Sequence, residues 1–362
     1  MKINPTYNTK EAILALYNKP LIELIFESAS VHREFHNPRE VQMSSLISIK
    51  TGGCPEDCGY CPQAARYHTD VDTHKLMTVE TVVEQAKNAK ANGSSRLCMG
   101  AAWRNIRDNR DFDTVIEMVQ AVNDLDMEVC CTLGMMNEHQ AKRLKDAGLY
   151  AYNHNLDTSE DYYKDVISTR EYEDRLNTIN HAKNAGISVC SGGIIGMGES
   201  IEDRIGLLLS YIKMGTPPES IPINALVAVE GTPMEDQKPI EIWEMVRMIA
   251  TTRIVFPESI VRLSAGRTAM SKEGQALCFL AGASSVFAGD KLLTTPNPEF
   301  NEDKELFEQL GLVPKAPFQD GEKPITKEDE IIKAKKEKAV QREKELAEAR
   351  TEGFRPRKVV SE

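Results

Sequence analysis

The chain has 362 residues, 41% of them apolar and 27% charged, and carries a formal net charge of −11. That composition fits a globular protein of one large domain or two smaller ones. It argues against a nucleic-acid surface, which needs clustered Lys and Arg, and no apolar run approaches the ~18 residues of a membrane span.

Residues 1–18 lack the basic start and apolar core of a secretory leader, and lack the Arg-rich look of an organelle transit segment, so a cytoplasmic protein is expected. In that compartment eight cysteines point to metal binding or catalysis before disulfides. Residues 1–45 read as a helical extension, in which Ala12-Ile-Leu-Ala-Leu16 and Leu21-Ile-Glu-Leu-Ile25 form an amphipathic face suited to plug or flank a larger body. A strand-like run at 46–49 then leads into the loop Lys50-Thr-Gly-Gly-Cys-Pro-Glu-Asp-Cys-Gly-Tyr-Cys-Pro62. Cys54, Cys58 and Cys61 follow a C-x3-C-x2-C spacing with no fourth cysteine after them. Three thiolates can bind three irons of a four-iron cluster and leave the fourth without a protein ligand, and an open metal position is a catalytic one. Zinc or a redox thiol pair is the plainer alternative. A zinc ribbon, however, needs a second closely spaced ligand pair, and the cysteines at 98, 130, 131, 190 and 278 are scattered. Glu56 and Asp57 in the loop read equally as tuning charges, solvated acids or helix caps.

Further strand-like runs follow at 96–100, 127–134, 151–156, 188–195, 221–227, 260–264 and 284–288. Between most of them lie helical periodicities at 79–91, 112–125, 138–147, 171–185, 201–214, 240–254 and 271–280. Eight strands alternating with helices over roughly 245 residues predict a parallel (β/α)8 TIM-type barrel spanning 46–318; an open doubly wound sheet, the alternative, normally has fewer strands. Gly93, Gly148 and Gly186 stand where helix C-caps are needed before the next strand. The segment 319–362 is dominated by Lys and Glu and reads as a solvated helix or disordered tail, with a thin apolar seam at Ile332, Ala339 and Leu346.

Placing the strands gives the scattered cysteines a meaning. Cys98, Cys130 and Cys190 fall in the second, third and fifth strands, and Arg262 in the seventh. Strand residues alternate between helix layer and barrel interior, so these groups can converge on one interior point. A single buried cysteine usually packs as a small hydrophobe, and that reading suits Cys278. Three thiols beside an arginine are different, because a buried arginine needs an anionic partner. His154 reads as structural, and Trp103 and Gly134-Met-Met136 as packing.

Seven motifs together resemble the radical S-adenosylmethionine enzymes and, within them, the biotin synthases. They are Gly53-Cys-Pro-Glu-Asp-Cys-Gly-Tyr-Cys-Pro-Gln63, Cys98-Met-Gly-Ala-Ala-Trp103, Tyr152-Asn-His-Asn-Leu-Asp-Thr158, Val189-Cys-Ser-Gly-Gly193, Pro222-Ile-Asn224, Val261-Arg-Leu-Ser-Ala-Gly-Arg267 and Leu292-Leu-Thr-Thr-Pro-Asn-Pro298. The resemblance runs from about residue 41 to 298. It implies that Cys54, Cys58 and Cys61 hold a four-iron four-sulfur (4Fe-4S) cluster whose open iron binds S-adenosylmethionine. It further implies that Cys98, Cys130, Cys190 and Arg262 hold a two-iron two-sulfur (2Fe-2S) cluster. The family pattern sets its cysteine two residues before Thr-Leu-Gly, which selects Cys130 over Cys131. Tyr60, Asn155, Asp157 and Arg175 are implied as S-adenosylmethionine contacts, Asp157 toward the ribose and Arg175 toward the methionine carboxylate. Gly192-Gly193 and Gly196-Met-Gly198 would give backbone room for that ligand. Asn153, Asn155, Asn224, Thr294 and Thr295 are implied as contacts to dethiobiotin. The implied activity is insertion of sulfur between two unactivated carbons by 5′-deoxyadenosyl radicals, the sulfur coming from the second cluster. An electron donor of the flavodoxin or ferredoxin kind and a homodimer are implied with it. A radical S-adenosylmethionine barrel with another substrate and a non-enzymatic iron–sulfur scaffold are the alternatives.

Overall fold

The computed structural model describes residues 1–319 together with 322–324, 326, 331, 337 and 338. The seam at Ile332, Ala339 and Leu346, and most of the charged segment 319–362, lie outside the described residues.

Two helices open the chain, α1 (Lys10–Tyr17) and α2 (Leu21–Phe35), followed by strand β1 (Glu40–Lys50). Seven αβ repeats then run α3 (Val79–Ala91), β2 (Arg96–Ala101), α4 (Arg110–Asn123), β3 (Glu128–Thr132), α5 (Glu138–Asp146), β4 (Ala151–Asn153), α6 (Tyr163–Val166) and α7 (Tyr172–Asn184). Next come β5 (Ser188–Cys190), β6 (Gly193–Ile195), α8 (Ile201–Lys213), β7 (Ser220–Ala225), α9 (Ile242–Val255), β8 (Ile260–Leu263), α10 (Lys272–Leu280) and β9 (Ser285–Phe287). A short hairpin, β10 (Lys291–Leu292) and β11 (Thr295–Pro296), precedes α11 (Phe300–Leu310) and β12 (Val313–Pro314). Side-chain caps start most helices where the sequence supplies them. Thr78, Asn109, Asn137, Ser200 and Ser271 each accept a first-turn N–H.

The strands pair in parallel in the order β1-β2-β3-β4-β5-β7-β8-β9, with β6 continuing the fifth stave beside β7. β9 returns to β1 through Gln42↔Ser285 and Ser44↔Phe287, which closes the expected eight-staved barrel. The fifth stave, read as one run over 188–195, is two strands. It breaks at Ser191 and Gly192, where the Gly192 N–H donates to the Asn155 side chain and a Cβ on Gly192 would lie 1.9 Å from the Pro222 carbonyl oxygen. At Gly193 the crowding comes from Leu207 and the Asp157 carbonyl. The crowding at these two glycines thus comes from neighbouring protein atoms.

β1 starts six residues before the expected strand, inside the stretch read as helical. Its first half, Gln42, Ser44 and Ser45 among them, is polar yet buried, so it carries no apolar signature. The N-terminal helices flank the barrel: Ile13, Leu16, Tyr17, Leu24 and Ile25 are buried, α1 lies against α8 and α9, and α2 lies against α9. β12 adds to the lower end of β1 (Glu40↔Val313, Val41↔Pro314) and brings Phe318 beneath the barrel, against Cys98, Cys130 and Tyr150. Gly93, Gly148 and Gly186 have φ of 90°, 91° and 71°, as their C-cap positions require.

Gly192→Ala is expected to cost about 3 kcal/mol or more, because the nearest atom is strand backbone that cannot retreat. Gly93→Asn, with open space around its Cβ, should cost about 1 kcal/mol for the left-handed backbone alone. Urea unfolding of both variants checks this; equal losses would contradict the packing account.

Candidate active site

The loop after β1 is folded back on itself and tied to the barrel. The Cys54 N–H donates to the Gln63 carbonyl, Ala65 N–H to the Cys54 carbonyl, and Gly59 N–H to the Val166 carbonyl, at 2.9, 2.7 and 2.9 Å. Asp57 is the main anchor: its carboxylate accepts from the backbone N–H of Ser168 (3.0 Å) and Thr169 (3.1 Å) and from both hydroxyls. Burial pushes this carboxyl up, but those hydrogen bonds outweigh burial and hold it down at about 2. Glu56 is buried as well. It accepts from the Thr169 hydroxyl and has Arg104 and Arg170 at 3.5 and 3.9 Å. Neither acid is a solvated loop charge, and neither caps a helix. Burial raises all three loop thiols, Cys58 to about 11 and Cys61 to about 12. Metal loading must therefore displace protons. Among the described residues no three His, Cys, Asp or Glu side chains gather around one ion position.

A cavity of about 330 Å³ lies below this loop, inside the upper barrel. Cys54, Cys58 and Cys61 of the loop line it, and so do Cys98 and Arg262 of the strands. Tyr60, Asn153, Asn155, Asp157, Arg175, Asn224, Thr294 and Thr295 line it too. Of the residues expected at the site from the sequence, Cys130 and Cys190 do not face the cavity and sit in the layer beneath, and neither Gly192-Gly193 nor Gly196-Met-Gly198 lines it.

That layer follows from strand register. Leu46 pairs with Cys98, Cys98 with Cys130 and Pro222 with Arg262, which puts alternate residues of neighbouring strands at one level. Cys98 and Cys130 pack with Tyr150 and Ala151, while Cys131 faces the helix-side core with Met99 and Val129. Arg262 is 1% exposed. Its Nη1 donates to Cys190 Sγ at 3.8 Å, Nε to Ser285 Oγ at 2.9 Å, and its plane lies over Phe287. The Cys98 thiol is held below its usual range by a hydrogen bond from Cys130, against burial and with help from Arg262 and Arg96. Cys130, on the donating side of that bond, is pushed up.

On the cavity wall Tyr60 Oη donates to Asp157 at 2.7 Å, and Arg175 bridges Asp157 (2.5 Å), Tyr163 (2.8 Å) and the Asn155 carbonyl. Arg175 and Asp157 are thus a buried pair, and the side chain expected to meet a carboxylate directly is first of all the partner of Asp157. Asp157 has φ 69° and Leu293, at the tip of the β10–β11 hairpin, φ 50°. Left-handed non-glycine residues concentrate at functional sites. The Asn224 side chain is engaged at both ends, by Gly193 O and Ala265 N, and Asn153 by Thr132. His154 is buried, and burial beside Arg170 and Arg175 pushes it well below its usual range, so it is neutral. Its Nε2 has no hydrogen-bond partner among the described residues.

Sequence reasoning missed Gln42, Arg96 and Glu128, which lie directly under the thiols. Arg96 and Glu128 stand two residues before Cys98 and Cys130 and share their face. Opposed charges at paired positions in otherwise apolar strands were the available signal. Arg104, Arg170, Ser168 and Thr169, which surround the loop acids, come from distant segments and carry no local signal.

Asp57→Asn is expected to cost about 1.5–3 kcal/mol of loop anchoring, the range for hydrogen bonds to a charged group. A carboxyl held at about 2 against ~4 when unfolded stabilises fully above pH ~4 and loses that contribution as pH falls through about 2. Hydrogen exchange of residues 54–62 should show the parent loop protected at pH 5 and opening toward pH 2, and the variant open at both. A variant as protected as the parent at pH 5 would contradict this anchor.

Residues 48–210 match the Radical SAM superfamily, and residues 222–313 the Biotin and Thiamin Synthesis associated domain. The chain is 66% identical over 320 residues to the biotin synthase of Flavobacterium psychrophilum, covering 88% of each protein. It is 68% identical over 310 residues to that of Flavobacterium johnsoniae, covering 86% of this chain and 85% of the relative. Among solved structures, methylornithine synthase superposes with a TM-score of 0.73 at 20% identity, over 86% of this chain and 95% of that one, a likeness of fold. With this degree of identity over nearly its whole barrel, the chain belongs to the biotin synthase family of the radical S-adenosylmethionine superfamily.

Proposed function

We propose that this enzyme converts dethiobiotin to biotin, with S-adenosylmethionine as co-substrate. The observation that carries the reading is that two thiol sets, Cys54, Cys58 and Cys61 of the loop and Cys98 with Arg262 of the strands, line one cavity. Three loop thiols with no fourth cysteine suit a 4Fe-4S cluster with an open iron, and Cys98, Cys130, Cys190 and Arg262 suit a 2Fe-2S cluster. When bound, the first would supply the electron that cleaves S-adenosylmethionine and the second the sulfur atom, chemistry no side chain offers.

The protein's own contribution is placement and exclusion. Asp157 would receive the ribose hydroxyls, with Tyr60 and Arg175 holding its carboxylate in place. Arg175, fixed by Tyr163 and Asp157, has N–H groups left for the methionine carboxylate. Asn153, Asn155 and Asn224 would offer their remaining amide positions to the ureido ring, and Thr294 and Thr295 their hydroxyls to the substrate carboxylate, the Thr295 hydroxyl turning from the Leu292 carbonyl to which it donates at 3.2 Å. The closed barrel and the hairpin carrying Leu293 over Gly100 keep water and stray hydrogen donors from the substrate, and a substrate held between the two thiol sets is in line with both. An external electron donor of the flavodoxin or ferredoxin kind, a cytoplasmic location and a homodimer are proposed with this reading on the family resemblance. Among the described residues no helix is long and apolar enough to cross a membrane.

Anaerobic reconstitution with iron and sulfide, followed by Mössbauer spectroscopy and iron analysis, tests the assignment on the parent, Cys98→Ala and Arg262→Ala, with dethiobiotin turnover recorded on each. Two cluster types are expected in the parent, with the smaller one and biotin formation both lost in Cys98→Ala. A single four-iron cluster indifferent to Cys98→Ala, with S-adenosylmethionine cleaved and no biotin made, would overturn it.

A further inference from the structure

Below the thiols the barrel interior holds a row of polar side chains to which the activity assigns no part. Register alone aligns it around the wall: Glu128 pairs with Arg96, Arg96 with Ser44, Gln42 with Ser285, and Ser285 with Arg262. Glu128 is 1% exposed and is the only carboxylate paired with Arg96 among the described residues. Its Oε2 accepts from Arg96 Nε (2.7 Å) and from Gln42 Nε2 (3.1 Å), and its Oε1 from the backbone N–H of Phe318 (2.7 Å). Gln42 continues the row, its Oε1 accepting from Arg262 Nη2 (3.3 Å) and Ser285 Oγ (3.4 Å).

We propose that Glu128 is the positioning residue for Arg262, acting through the Gln42 amide. A carboxylate only accepts hydrogen bonds, so the amide must turn its NH2 to Glu128 and its carbonyl oxygen to Arg262. The reversed amide would set oxygen against carboxylate and N–H against guanidinium, two repulsions inside a water-free barrel. The guanidinium is thereby held with Nη2 on Gln42, Nε on Ser285 and Nη1 toward Cys190. The same carboxylate holds Arg96 over Tyr150, the ring that packs on Cys98 and Cys130. One acid thus sets the orientation of both guanidinium groups beside the thiols.

This inference rests on the 2Fe-2S assignment above, and the experiment separates the two. Visible circular dichroism of the two-iron cluster and the rate of its iron loss to a chelator are measured on reconstituted parent, Glu128→Gln and Gln42→Met. The four-iron content of each sample reports correct folding. A parent without a two-iron cluster defeats the underlying assignment. Given that cluster, both single variants should shift its dichroism and lose iron about tenfold faster, the scale of partners that orient metal ligands, with four-iron content unchanged. Parent-like single variants would overturn the proposal. Gln42→Met leaves the Glu128–Arg96 pair intact, so a parent-like Gln42→Met overturns the proposal even if Glu128→Gln does not fold.

Discussion

The parity of the barrel strands governs everything else in this molecule. Side chains on a strand alternate between two faces, so a one-residue slip in β3 would turn Cys130 toward the helices and Cys131 into the lumen. The native register, Leu46 beside Cys98 and Cys98 beside Cys130, holds three thiols and Arg262 near one level. It is pinned from outside by the apolar faces of the surrounding helices and from inside by charge. Arg96 and Glu128, paired at 2.6 Å directly below the thiols, would each be an uncompensated buried ion if the strands slipped.

Above that layer a second constraint operates. The loop carrying Cys54, Cys58 and Cys61 contains no long regular element, and its shape depends on groups from the segment before α7, mainly the amides and hydroxyls of Ser168 and Thr169 on Asp57. The cavity between loop and thiol layer is walled by residues already bonded to one another: Tyr60 to Asp157, Asp157 to Arg175, Asn155 to Gly192. Ligand-facing groups that are held before binding lose less freedom on binding. They also keep polar atoms satisfied inside a barrel that must exclude water.

The cysteine loop, the alternation of strands and helices and the eight-staved closure were legible in the sequence because each has a short local signature: fixed cysteine spacing, apolar runs, C-cap glycines. The choice of Cys130 over Cys131 followed from strand parity once a family pattern set the phase. Three features were not legible, each for a physical reason. The first half of β1 faces a polar interior, so Gln42 and Ser44 broke the apolar run by which a strand is recognised. Gly192 is required by the Pro222 carbonyl of a neighbouring stave, a contact invisible along the chain. The roles of Glu56 and Asp57 stayed open between tuning charges, solvated acids and helix caps because Ser168 and Thr169, which hold them, lie more than 110 residues away.

The claim at the centre of this account is that the interior thiol layer holds the sulfur that ends in the product. The most direct measurement rebuilds the clusters anaerobically with 34S-labelled sulfide, removes free sulfide, and determines the mass of biotin formed in a single turnover with unlabelled dethiobiotin and S-adenosylmethionine. The account predicts biotin carrying the heavy sulfur, with loss of the two-iron cluster in step with product. Unlabelled biotin, or labelled biotin formed while the two-iron cluster stays intact, would contradict it.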